Sequence, residues 1–286
     1  MDWEDGRRSD NVEDRRGAGR PVAVGLGVTL VALLVGWLFG VDPSTVLALL
    51  SQTGTAPATS ATSSAPVQGS PQEERQKDFV SVVLASTEDT WTPLLAARGI
   101  RYIPPKLVLF RGGVQSGCGF AESAAGPFYC QLDQRVFLDL SFFDELTRRF
   151  GAPGDFAQAY VVAHEIGHHV QNELGIFAKT DALRRQGDAV QANRVSVLQE
   201  LQADCFAGVW ANQANRRGPL LQPGDMEAGL RAAAAIGDDT LQKRARGYVV
   251  PDSFTHGTSA QRVEWFSRGL KEGKLEACDT FAAARP

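Results

Sequence analysis

Cysteine pairs spaced C-x-x-C, a basic excess and histidine are what this chain lacks or has little of. There are four cysteines, four histidines, and 29 Lys and Arg against 33 Asp and Glu, a net charge of -4. Without a basic excess the chain has no electrostatic footprint for nucleic-acid phosphates, and that class of partner is excluded. Without a C-x-x-C pair, a cysteine-built structural zinc site is disfavoured. With histidine confined to His164, His168, His169 and His256, any histidine-based metal site must use these few and find its remaining ligand elsewhere. From Ser51 to about Gln72 large apolar residues are missing as well. That stretch cannot bury a core and reads as a flexible tether. No internal repeat is present.

What is present divides the 286 residues into four expected parts. Residues 1–21 are charged, Gly/Arg-rich and without apolar periodicity, which predicts a disordered tail. Residues 22–41, VAVGLGVTLVALLVGWLFGV, form an uncharged run long enough to cross a hydrocarbon core of roughly 30 Å. Asp42-Pro43 follows, with no small-residue cleavage site close by, so the run reads as an uncleaved anchor rather than a signal peptide. Arg7, Arg8, Arg15, Arg16 and Arg20 precede it and predict a cytoplasmic N-terminus, with the rest of the chain outside. Residues 42–76 are the expected linker and 77–286 the globular domain, large enough to bury one sizeable core. On the oxidising side of a membrane four cysteines suggest two disulfides. Cys118 with Cys130 lies within one strand-rich stretch, which leaves Cys205 to tie Cys278 to a central helix.

Inside the domain, residues 78–98 have helical spacing. Residues 106–140 hold LVLF, RGGVQSGCG, PFYC and RVFLDL, a pattern of three or four short antiparallel strands. Helices are expected over 155–174, 189–216, 225–246 and 259–272. Strands first and helices afterwards predict an α+β domain with a small antiparallel-rich sheet.

The chemistry centres on His164-Glu165-Ile166-Gly167-His168, an H-E-x-x-H pattern inside the apolar stretch AYVVAHEIGHHV. Asp155 and Gln158 are placed to cap that helix. Residues i and i+4 stack on one helical face, so His164 and His168 can bind one ion. Glu165, next to His164 around the helix, can reach a water on that ion and act as general base. Burying two imidazoles and a carboxylate among apolar residues is costly unless a metal or partners satisfy them. His169 lies about 100° further round the helix and is expected to pack behind the site. The expected third ligand is Glu200, in a second apolar helix. Asp204, one turn on, would hydrogen-bond a ligand histidine and fix its tautomer. His256 precedes a capping box of Thr258 and Gln261. Near a helix N-terminus it should be biased toward its neutral form and could donate to an oxyanion, or simply organise its loop.

These residues resemble the bacterial neutral zinc metallopeptidase family, single-pass membrane proteins with a zincin-like domain. The resemblance is carried by Ser9-Asp10-Asn11-Val12-Glu13-Asp14-Arg15-Arg16-Gly17, Gly126-Pro127-Phe128-Tyr129-Cys130, Gly154-Asp155-Phe156-Ala157-Gln158, HEIGHHVQ from His164, ELQADCFAGVW from Glu200 and PDSFTHGTSAQR from Pro251. It implies Zn2+ on His164, His168 and Glu200, with Glu165 as base. The expected function is a membrane-anchored, zinc-dependent endopeptidase acting on protein or peptide substrates outside the cytoplasm. A non-catalytic zinc-stabilised scaffold or chaperone-like factor, and a cell-wall peptide amidase, are the alternatives.

Overall fold

The computed structural model describes residues 1–17, 69–218 and 220–283. The chain opens with strand β1 (Val12–Asp14). Helix α1 (Pro71–Ala96) begins inside the last residues of the expected linker, started by a Ser70 and Glu73 capping box with Pro71 at the first helical position. Strands β2 (Lys106–Phe110), β3 (Gly113–Ser116), β4 (Gly119–Glu122), β5 (Phe128–Cys130) and β6 (Arg135–Asp139) follow. Helices α2 (Ser141–Arg148), α3 (Asp155–Glu173), α4 (Ile176–Gln186), α5 (Ala189–Arg217), α6 (Asp225–Ala235), α7 (Asp238–Arg246), α8 (Ser259–Glu272) and α9 (Thr280–Ala283) complete the order.

The α+β class stands, but the sheet is not antiparallel-rich. Its order is β1-β2-β6-β5, with β1 and β6 both parallel to β2 and only β5 antiparallel to β6. The reason is the detour between β2 and β6. The chain leaves the sheet for the separate β3–β4 hairpin and returns through β5, so β6 can enter beside β2 in the same direction. The expected single helix over 225–246 is two helices broken at Ile236-Gly237, where an added Cβ on Gly237 would lie 2.4 Å from the Ser259 backbone nitrogen. Both expected disulfides form, Cys118–Cys130 and Cys205–Cys278.

Residues 1–17 are not a free tail. β1 hydrogen-bonds into the domain's sheet, with Leu107 N donating to Asn11 O and Arg15 N to Leu109 O, each over 2.8 Å. Trp3 is buried against Phe79 of α1. Glu88 of α1, also buried, accepts from Arg7, Ser9 and Asn11. These contacts correct the expected topology. A segment in the same sheet as the domain lies on the same side of any bilayer as the domain, so a cytoplasmic N-terminus with the domain outside is overturned. Among the described residues no helix is long and apolar enough to cross a membrane. The run over 22–41, on which the single-pass reading rested, lies outside the described residues.

The helical layer positions the site. α3 is buried along most of its length and α5 over Leu201–Ala211, the part that packs against α3 and α8. They cross at Gly167, where an added Cβ would sit 2.9 Å from the Ala203 carbonyl oxygen. α5 and α8 approach more closely still at Gly269, where an added Cβ would sit 1.9 Å from the Cys205 carbonyl oxygen. Side chains at either residue would drive the helices apart. These two crossings bring the polar residues of three helices to one point.

Candidate metal centre

α3 begins differently from the sequence reading. Its N-cap is Gly154, at φ 108°, and the Asp155 side chain makes no cap. Asp155 instead accepts a 2.9 Å hydrogen bond from the Trp3 indole. The helix thus gives up a local cap for a contact with the N-terminal segment. One face of α3 carries His164 and His168, and α5, packed across Gly167, presents Glu200 and Asp204 to them.

His164, His168 and Glu200 come together, each offering one ligand atom within 4.8 Å of the others. Glu200 Oε2 lies 3.1 Å from His164 Nε2, and Glu200 Oε1 lies 3.4 Å from His168 Nε2. Ligand atoms of a tetrahedral zinc site with bonds of 2.0–2.1 Å stand about 3.3 Å apart. Donor types and spacing therefore both fit zinc. The electrostatics fit as well. Burial alone would lower the His164 pKa, but Asp204 and Glu200 outweigh it and hold it at about 10. Burial would raise Glu200, but His168 and His164 keep it well below the usual carboxylate range. Glu200, whose two oxygens face the two imidazoles, gives the cluster an anionic ligand suited to a cation.

Glu165 is buried at the foot of a cleft of about 590 Å³ that the three ligand residues also line. Among the described residues its carboxylate accepts no hydrogen bond from the protein. His256 lines the same cleft, with half its side chain exposed. It does not have the expected bias toward the neutral form. Asp238 at the start of α7 faces its ring, with Nδ1 3.3 Å from Asp238 Oδ1. That carboxylate raises the His256 pKa against the effect of burial. The Thr258–Gln261 capping box that follows is formed as expected. His169 packs behind the site, with Nε2 2.8 Å from the Ile103 carbonyl oxygen and Nδ1 3.2 Å from the Tyr129 hydroxyl.

Asp204 accepts from His164 Nδ1 at 2.9 Å, as the sequence suggested. What the sequence reading missed is its other partner. Arg262 of α8, almost wholly buried, forks onto the same carboxylate with Nε–Oδ2 at 2.8 Å and Nη2–Oδ1 at 2.9 Å. The Tyr160 hydroxyl donates to Asp204 too. Burial would raise Asp204, but Arg262 and His164 hold it at about 2. A signal existed in the sequence, because Arg262 interrupts the apolar face of a short amphipathic helix. The sequence reading also passed over Gln171, three residues after His168, whose Oε1 is 2.9 Å from His168 Nδ1.

A family model described as "putative neutral zinc metallopeptidase" matches residues 1–281. The uncharacterized protein YpfJ of Escherichia coli strain K12 is 47% identical over 292 aligned positions, covering 98% of this chain and 99% of YpfJ. The uncharacterized protein Rv2575 of Mycobacterium tuberculosis strain H37Rv is 44% identical over 209 positions, 70% of this chain and 68% of that protein. No solved structure matches.

Proposed function

The chain belongs to the neutral zinc metallopeptidase family, and from that membership and the geometry of His164, His168 and Glu200 we propose that it is a zinc-dependent endopeptidase. The observation that carries the reading is Glu165. It sits one residue from a candidate ligand histidine, lines the cleft, and among the described residues accepts no hydrogen bond from the protein.

When bound by His164, His168 and Glu200, zinc would supply a Lewis acid and a water of lowered pKa. The Glu165 carboxylate accepts the proton of the attacking water and returns it to the leaving amine. His256, on the cleft wall and held toward its cationic form by Asp238, donates to the oxygen of the attacked carbonyl. β5 is an edge of the sheet, and Gly126, Pro127, Phe128 and Tyr129 line the cleft. An extended peptide pairing along that edge would present its scissile bond to Glu165.

A zinc-stabilised scaffold would need no free carboxylate beside its ligands. Turnover of an unfolded protein substrate by the zinc-loaded chain, lost in Glu165→Gln with zinc content unchanged, is the expected result. Equal turnover by the two, or none by the wild type with zinc bound, overturns the peptidase reading. Replacing His256 with alanine should lower kcat by roughly 10²-fold and leave zinc content and KM near wild type. Because Asp238 raises the His256 pKa, activity that needs the protonated ring falls as pH rises through that value. His256→Ala should lose this basic limb.

A further inference from the structure

The two histidines of the centre are backed in different ways. Behind His164 stands a carboxylate, which can only accept a proton. Behind His168 stands an amide, which could face it with either end. Two backbone carbonyls settle which end. Gln171 Nε2 is 2.7 Å from the Gln199 carbonyl oxygen and 3.0 Å from Gln202 Oε1. Gln202 Nε2 in turn is 2.9 Å from the Cys278 carbonyl oxygen. A carbonyl can only accept, so the nitrogen ends of both glutamines are fixed toward the backbone. Gln202 must then present its oxygen to Gln171, and Gln171 must present its oxygen to His168. His168 Nδ1 is left as the donor, and the lone pair of Nε2 points toward Glu200 and the ligand cluster. Gln171 and Gln202 are both buried, so water cannot substitute for either partner.

The geometry assigns Gln171 and Gln202 as a positioning relay for His168. The order of donors and acceptors begins at the Cys278 and Gln199 carbonyls and fixes the tautomer in which His168 can bind a cation. The far end is anchored in turn, because Cys278 is bonded to Cys205 of α5 and Thr280 just beyond it donates to the Leu198 carbonyl oxygen. The C-terminal segment thereby acts on a ligand it does not touch. The inference rests on the zinc reading for its consequence but not for its test.

The test uses the full chain in two states. In metal-free protein, 15N NMR of the His168 ring should show Nδ1 protonated in the wild type. It should show a mixture or the opposite tautomer in Gln171→Leu. In zinc competition against a chelator, Gln171→Leu should bind about 10–100-fold more weakly, the usual effect of removing a ligand's supporting partner. Gln202→Leu should lose less, in the same direction. The double variant should be no weaker than Gln171→Leu, because both act through one bond. An unchanged tautomer in Gln171→Leu overturns the relay, even if the variant is less stable, since packing alone would lower stability without moving the proton. Losses that multiply in the double variant overturn it as well. Wild-type protein that takes up no zinc would defeat the proposed function, and the tautomer measurement would still decide the relay.

Discussion

Among the described residues two buried guanidiniums, Arg262 and Arg16, fork onto a carboxylate, and their surroundings differ. At the metal centre Arg262 grips Asp204 with both groups sealed from water, and Tyr160, His164 and the Ile236 carbonyl complete the set. It joins α3, α5 and α8. In the N-terminal segment Arg16 grips Asp14, two residues away, and adds Glu74 of α1, while Asp14 also takes Lys77. Here the carboxylate keeps some contact with water and has a second cation. Identical chemistry therefore serves two ends. One fork holds His164 of the candidate metal site, and the other latches the first strand to the first helix.

The comparison is broken most severely by Arg262→Leu. Removing one partner of a sealed pair leaves a buried charge uncompensated, at a cost of about 3–5 kcal/mol. Urea unfolding should show a loss of that size. Arg16→Leu leaves Asp14 with Lys77 and some water, so its loss should be only about 1 kcal/mol. Equal losses in the two variants would make the forks equivalent. The joint replacement Arg262→Met with Asp204→Leu sharpens the contrast. Apolar substitutes of similar volume often restore or exceed the stability of a sealed ion pair. Stability should return to near wild type while zinc affinity stays roughly 10–100-fold down, because His164 has lost its acceptor.

The mildest test is acid. Burial would raise the Asp14 pKa, but Arg16 and Lys77 outweigh it and hold it well below the usual carboxylate range. A carboxylate depressed in the folded state contributes stability above its unfolded pKa, about 3.9, and loses it as pH falls further. Hydrogen exchange at the amides of Leu107 and Arg15, which carry the β1–β2 pairing, should therefore accelerate as pH drops below about 4, beyond the general trend. Asp14→Asn should show the faster exchange already at neutral pH and lose that acid-dependent step.

The clustering of His164, His168 and Glu200 was legible because its signals are local and periodic. His164 and His168, like Glu200 and Asp204, are spaced one turn apart on apolar helices, and a buried charge there needs an explanation that sequence alone can supply. The partners of Arg262 and the two glutamines were not legible, since Asp204 lies 58 positions from Arg262, Gln202 lies 31 from Gln171 and Cys278 lies 76 from Gln202, and no periodicity links them. The N-terminal segment failed for a related reason. Asn11, Val12, Glu13 and Asp14 read as polar and featureless, yet each charge is answered by α1 or by Arg135 of β6. Polarity met by distant partners looks, in one dimension, like disorder. The parallel pairing of β2 with β6 was hidden likewise, because the strand residues reveal a sheet but not the route taken between strands.

β1 also has a consequence for the timing of biosynthesis. Val12 pairs with Leu107, and β2 in turn with β6. Ribosomes add about 5–20 residues per second, so the first strand waits at least about 5–20 s for its partner to be made. Through that interval its backbone groups and Trp3 have no native place to go. The return of the earliest residues therefore waits on β2, and a chaperone that holds the nascent amino terminus would delay the β1–β2 pairing.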